Sequence, residues 1–253
     1  MTSGLMHAGS GLGNQLHRYV GTKVLALDKG EKHSMVATEL FKGSSFMNLP
    51  MVDAGLEYRI EYPAGKVVVD DPKGITIVDG EFQDPKYFMH RIDEVREWLK
   101  VEPQPFNIAF SKPEEVCVLA FRGGEYVGVP SLFLTREYWY NAMENMKKLV
   151  PKVRFGVVTD DVPTAQRFFP NFDIRHEISF DWSAINNAHH LILSNSSFGI
   201  LPTLLNKNVK NVIAPKYWSR HNVSDYWPPE QNKYKGWLYQ DRAGDLERYE
   251  GDS

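Results

Sequence analysis

The chain has 253 residues, 42% of them hydrophobic and 13% aromatic, enough for one large core or two modest domains and too apolar for a disordered chain. A formal net charge of -3 gives no basic footprint for a nucleic-acid backbone, and no apolar run approaches the ~20 residues of a membrane span. The single cysteine, Cys117, excludes an internal disulfide, and no basic region followed by an apolar stretch opens the sequence, so a soluble, cytoplasmic protein is expected.

The first distinctive stretch is Gly9-Ser-Gly-Leu-Gly-Asn-Gln-Leu16, whose glycines free the backbone to bring N–H groups up to an anion. It is not a Walker A loop, because Ser10 stands where the lysine belongs, and Asn14 replaces the last glycine of a dinucleotide fingerprint. What remains is a glycine loop opening a helix, with Leu16, Tyr19, Val20, Val24 and Leu27 at helical spacing and Gly30 behind them. Short strands are expected over 66–70 and 74–79, and a second helix carrying Phe88, Ile92, Val95 and Leu99 ends before Pro103. Residues 40–65 carry no readable period.

Three prolines in residues 101–115 mark a seam, dividing the chain into domains over 1–105 and 106–253. After it, the apolar run 116–121 has the composition of a strand buried on both faces of a parallel sheet. A helix follows, with Thr135 as N-cap and Trp139, Ala142, Met143, Met146 and Leu149 on one face. Strand and helix then alternate through the strands at 153–159, 172–176, 190–194 and 211–215. That alternation predicts a doubly wound parallel sheet, which binds ligands outside the carboxyl ends of its strands. The aromatic tail 217–241 is expected to cover a surface or an interdomain face.

Three strands stop at polar groups: the first at Arg122-Gly-Gly-Glu125, the second at Asp160-Asp161, the third at Asn195-Ser196-Ser197. In a parallel sheet these ends share one edge. Arg122 can grip a phosphate bidentately, the helix start at Ser196, Ser197 and Phe198 offers N–H groups to it, and the carboxylates can accept from a base or ribose. The bland alternatives are a surface ion pair for Arg122 and helix caps for Asp161 and Ser196. His189 and His190 are expected to pack or cap, and no third ligand stands near Asp160-Asp161 at a metal-binding spacing, so no metal is expected.

The order G-L-G-N-Q-L, Arg-Gly after a strand, T-D-D and S-N-S-S-F resembles the α-1,2-fucosyltransferase family, glycosyltransferase family 11. The stretch 79–88, DGEFQDPKYF, and the late strand VIAPKYW are similar to that family's corresponding segments. The resemblance implies a GT-B-like α/β fold, two Rossmann-like domains facing across a cleft, and inverting, metal-independent transfer from GDP-fucose to a glycan hydroxyl, with no cofactor and a peripheral membrane contact left open. It assigns Arg122 and Asn14 to catalysis, and Gly11, Gly13, Gln15, Glu125, Asp160, Asp161, Asn195, Ser196, Ser197 and Phe198 to the donor. The family's usual H-x-R-R-x-D reads Ala120-Phe-Arg-Gly-Gly-Glu125 here. Glu81, Asp84, Glu125 and His17 are the candidate bases for the acceptor hydroxyl. The other readings are a non-catalytic nucleotide-sugar binder and, on the opening glycines, an NAD-dependent oxidoreductase.

Overall fold

In the computed structural model, residues 1–61, 66–69, 74–224, 226 and 233–251 are described. They form two compact units, Met1–Val101 and Glu102–Ser253.

In the first unit, β1 (Thr2–Leu5) leads into helix α1 (Leu12–Asp28), followed by β2 (His33–Val36), β3 (Tyr58–Glu61), β4 (Lys66–Val69), β5 (Thr76–Ile77) and α2 (Ile92–Trp98). β1 lies between β2 and β5, parallel to both, while β3 and β4 form a separate antiparallel hairpin. α1 sits close on this small sheet. A Cβ at Gly4 would meet Met35 Sδ at 2.8 Å, and one at Gly21 would collide with the Phe82 ring, so both glycines are where helix, sheet and the segment after β5 touch. The expected second helix is shorter than its apolar spacing suggests: two 3₁₀ turns, Pro85–Tyr87 and Met89–Arg91, precede the α-helical part. Phe88, between them, leaves helical dihedrals at φ -148° yet is fully buried, so its packing overrides the helical period.

The second unit contains β6 (Val116–Phe121), α3 (Arg136–Leu149), β7 (Arg154–Thr159), α4 (Val162–Phe168), β8 (Asp173–Arg175), α5 (Ile178–Asn187), β9 (His190–Leu193), α6 (Ser197–Leu205), β10 (Asn211–Pro215), β11 (Leu238–Gln240) and β12 (Leu246–Arg248). They make one seven-stranded sheet in the order β12-β11-β10-β9-β6-β7-β8, parallel except for β12. Every residue of β6 is buried, and its side chains alternate between two cores. Val116, Val118 and Ala120 pack with Ala184 and Ile185 of α5 and Ile200 of α6. Cys117, Leu119 and Phe121 pack with Trp139, Ala142 and Met146 of α3 and Ala165 of α4. Helices therefore cover both faces, as the apolar run predicts, and both units are α/β structures built on parallel strands, in keeping with the expected GT-B-like class. Thr135 caps α3 by accepting from the Tyr138 amide, whereas Leu149, expected on the buried face, is exposed at the helix end.

The tail departs from expectation. Tyr239 is buried within β11, which extends the sheet beside β10, so this part of the tail is core rather than surface cover. Residues 225 and 227–232 of the same stretch, with 62–65 and 70–73 of the first half, lie outside the described residues.

The segment entering β6 packs tightly on the sheet, and a Cβ at Gly156 of β7 would collide with the buried Phe106 ring. Gly156→Ala is expected to destabilise the protein by about 1–3 kcal/mol through overpacking. Urea unfolding measures this, and an unchanged midpoint would contradict the close approach.

Candidate active site

β9, β6 and β7 are adjacent parallel strands, so the loops leaving them start about 4.8 Å apart on one edge. Arg122 leaves the middle strand. Its guanidinium is held at 2.6 Å by Asp160 Oδ2 after β7 and at 2.6 Å by Glu125 Oε1 in its own loop, with the Tyr126 ring 5.3 Å away. Asp160 also accepts the Gly123 amide at 2.9 Å. The loop lies so close to the next strand end that a Cβ at Gly123 would stand 2.6 Å from Asp161 Cβ. Glycine is required there for proximity. Arg122 Nε is buried and has no hydrogen-bond partner among the described residues.

The remaining strand-end residues divide by what holds them. Asp161 caps α4, accepting from the Thr164 amide at 3.1 Å; Thr164's hydrogen bonds are the main cause holding its carboxyl below the ordinary range. Ser196 caps α6 through the Phe198 amide, Ser197 is the first residue of that helix, and the Phe198 ring meets Trp182 edge-on. Asn195 is buried and donates to the Leu132 carbonyl at 2.8 Å, while its Oδ1 has no partner. The structure thus brings Arg122, Glu125 and Asp160 into contact and sets the α6 start on the neighbouring strand, while Asp161 and Ser196 also do the capping work of the bland reading.

In the first unit, Gly11 is the extended N-cap of α1 and Gly13 lies in its first turn. Asn14, half-buried, accepts from Gln83 at 3.1 Å. Gln15 is turned inward: its amide donates to the Leu40 carbonyl at 2.8 Å and accepts from the Lys42 amide at 3.0 Å, so it pins the segment after β2. His17 is fully buried against Phe88, and burial pushes its pKa down to about 4 although a bond to the Gly13 carbonyl opposes this. That makes it a neutral core histidine and no candidate for an exposed acceptor. Asp84 caps the 3₁₀ turn that follows it and pairs with Lys86.

Sequence reasoning missed four groups. His7, just past β1, sits 3.0 Å from Asp79, just past β5, and Arg18 of α1 bonds both Asp79 and Glu81. The strand-end argument used for the second half, applied to the first, finds both His7 and Asp79. Asp181, in the first turn of α5, is buried, and this burial, reinforced by the charges of Glu177 and Asp160, raises its pKa to about 8.

That shift has a stability consequence. Below the ordinary carboxylate range both folded and unfolded chains hold the Asp181 proton; from there up to about 8 only the folded chain does, so unfolding releases it. The stability contributed by this group is lost as pH rises through that window. Asp181→Asn is expected to flatten the dependence, its melting temperature gaining on the wild type from about pH 5 to pH 8. Thermal melts across that range check it, and parallel curves would contradict the neutral buried carboxyl.

No curated protein matches the sequence. Two solved structures are similar at low identity. One is a family 9 glycosyl transferase from Veillonella parvula, at 12% identity over 85% of this chain and 80% of that one, with a TM-score of 0.39. The other is the E. coli heptosyltransferase WaaC with ADP, at 10% identity over 85% and 87%, with a TM-score of 0.41. The family model for glycosyl transferase family 11 matches residues 77–241, most of the chain. Its span begins at the last residue of β5 and runs past the strand ends that carry Arg122, Asp160 and Ser196 to the close of β11, so it takes in the second unit's strand-end array and leaves out β1, α1 and the loop between them. The chain is a glycosyltransferase and belongs to glycosyl transferase family 11.

Proposed function

We propose that the protein is an inverting, metal-independent transferase that moves fucose from GDP-fucose to a glycan hydroxyl in α-1,2 linkage. The observation that carries this reading is Arg122, partly exposed at the tip of a central strand with two carboxylates aligning its guanidinium.

As the sugar–phosphate bond breaks, negative charge builds on the departing diphosphate. Fixed donors aimed at that charge lower the barrier without a metal, because they need no reorganisation at the moment of reaction. Arg122 supplies the formal charge. The first N–H groups of α6, beginning at Ser197, supply dipoles on the adjacent strand end. Glu125, largely exposed, is more readily displaced from Arg122 by an anion than the less exposed Asp160. On binding, the diphosphate replaces Glu125 while Asp160 keeps the guanidinium oriented. The nucleotide sugar and the glycan are the only partners this reading requires, with no added cofactor.

The altered stretch Ala120–Glu125 favours a second reading, a nucleotide-sugar binder that no longer turns over. The family match leaves the oxidoreductase alternative without support.

GDP release from GDP-fucose, measured with and without glycan acceptors, separates the two readings. Turnover that Arg122→Ala lowers about 10²–10³-fold supports the transferase and the role of Arg122. GDP binding by the wild type with no release supports the binder, and an Arg122→Ala rate equal to wild type removes Arg122 from the chemistry.

A further inference from the structure

We infer that the amino-terminal edge of the second unit's sheet docks on an anionic lipid surface, with Phe110 entering the bilayer interface and unpaired cations meeting the headgroups. The chain approaches β6 through a four-residue turn, closed by the Ser111 amide donating to the Ile108 carbonyl at 3.0 Å. Phe110 is the third residue of that turn and has φ 63°, a conformation that favours glycine. Its side chain is fully exposed. Phe106 is buried and Ile108 packs on the core, so the turn is anchored at its base while its tip projects. A lone apolar side chain on a surface is ordinary. A fully exposed phenylalanine in left-handed backbone is not, because it adds no packing and the turn itself would be better served by glycine.

The cations on this edge come from strand starts that the sheet brings into line. Arg154 stands opposite Val116, Cys117 opposite His190, and His190 opposite Asn211. The edge is tied across: His190 Nε2 lies 2.9 Å from the Glu114 carbonyl oxygen, and the Lys210 amide donates to the His189 carbonyl at 2.8 Å. Lys112 follows the turn, Lys152 and Arg154 open β7, and Lys207 and Lys210 precede β10; all five are exposed and none forms an ion pair among the described residues. Against them stand two unpaired carboxylates, Glu114 and Glu115, while Asp173 at the start of β8 is paired with Arg175. The excess is positive on a chain whose net charge is -3.

Charge complementarity selects the occupant. A projecting aromatic ring beside flexible, unpaired lysines matches a fluid anionic surface, which takes the ring at the headgroup boundary while the long lysine stems keep their charges among the phosphates. One aromatic side chain with a basic patch gives reversible, salt-sensitive attachment. β6 is six residues long, so this edge lies about 20 Å from the strand end that carries Arg122, which docking leaves uncovered.

The test measures co-sedimentation of the intact protein with vesicles of phosphatidylcholine alone and of phosphatidylcholine mixed with phosphatidylglycerol, at low and high salt, beside thermal melting. Wild type is expected to bind the anionic vesicles alone and to be released by salt. Phe110→Gly is expected to weaken that binding about 10-fold while melting at or above the wild-type temperature, since glycine relieves the turn. Lys112→Gln and Lys210→Gln are each expected to weaken it about 5-fold. Equal binding to both vesicles, binding to neither, or anionic binding that Phe110→Gly or the lysine variants leave unchanged overturns the proposal. Self-association of the lipid-free wild type that Phe110→Gly abolishes also overturns it, and gives this edge to a second copy of the chain.

Discussion

Asp160 makes two bonds that the rest of the strand-end array depends on. One oxygen holds Arg122 and the other holds the Gly123 amide, so the side chain and the backbone of a single loop are fixed from the neighbouring strand. The sheet makes this arrangement available because β6 and β7 run parallel in register, with Phe121 opposite Thr159, and the next residues of each strand emerge side by side. Two glycines follow Arg122 because side chains there would strike Asp160 and Asp161. A charged group only a quarter exposed is thereby held in a fixed orientation by its own protein.

The first unit repeats the logic with different chemistry. Its loops beyond β1 and β5 carry a histidine and a carboxylate where the second unit's carry an arginine and a carboxylate. The glycine loop 9–13 opens α1 there, as its composition indicates, but the polar residues that follow are divided in purpose. Gln15 faces inward and holds the segment after β2, while Asn14 meets Gln83 from the segment after β5. The polar cluster of His7, Arg18, Asp79 and Glu81 is tied together across more than 70 residues of sequence, all within one small parallel sheet and the helix on it.

How much was legible follows from how each element is stabilised. The strand 116–121 is buried on both faces and therefore uniformly apolar, and α3 shows its buried stripe and its Thr135 cap openly. The Arg122, Asp160 and Ser196 edge follows once those strands are placed. β1 is Thr-Ser-Gly-Leu, buried at every position yet scarcely apolar, so it does not announce itself, and although β5 lies within the strand expected over 74–79, the His7–Asp79 pair stayed hidden because its other strand was not placed. β11 is three residues set among tryptophans and tyrosines, where no period can form; its place beside β10 is a tertiary fact. Gln15 looked like a group aimed at a ligand because the segment at Leu40 and Lys42 that consumes its amide lies in the unreadable middle of the first half. Nothing in the sequence marks Asp181, and only its burial and the charges of Glu177 and Asp160 distinguish it.

The central proposal is that this edge binds a guanosine diphosphate through Arg122 and the start of α6 without a metal. Calorimetric titration with GDP, UDP, CMP, ADP and NAD, each with EDTA present, tests it most directly. The account predicts binding of GDP in preference to the others and unaffected by EDTA. Preference for UDP or NAD, or binding that EDTA abolishes, would contradict it.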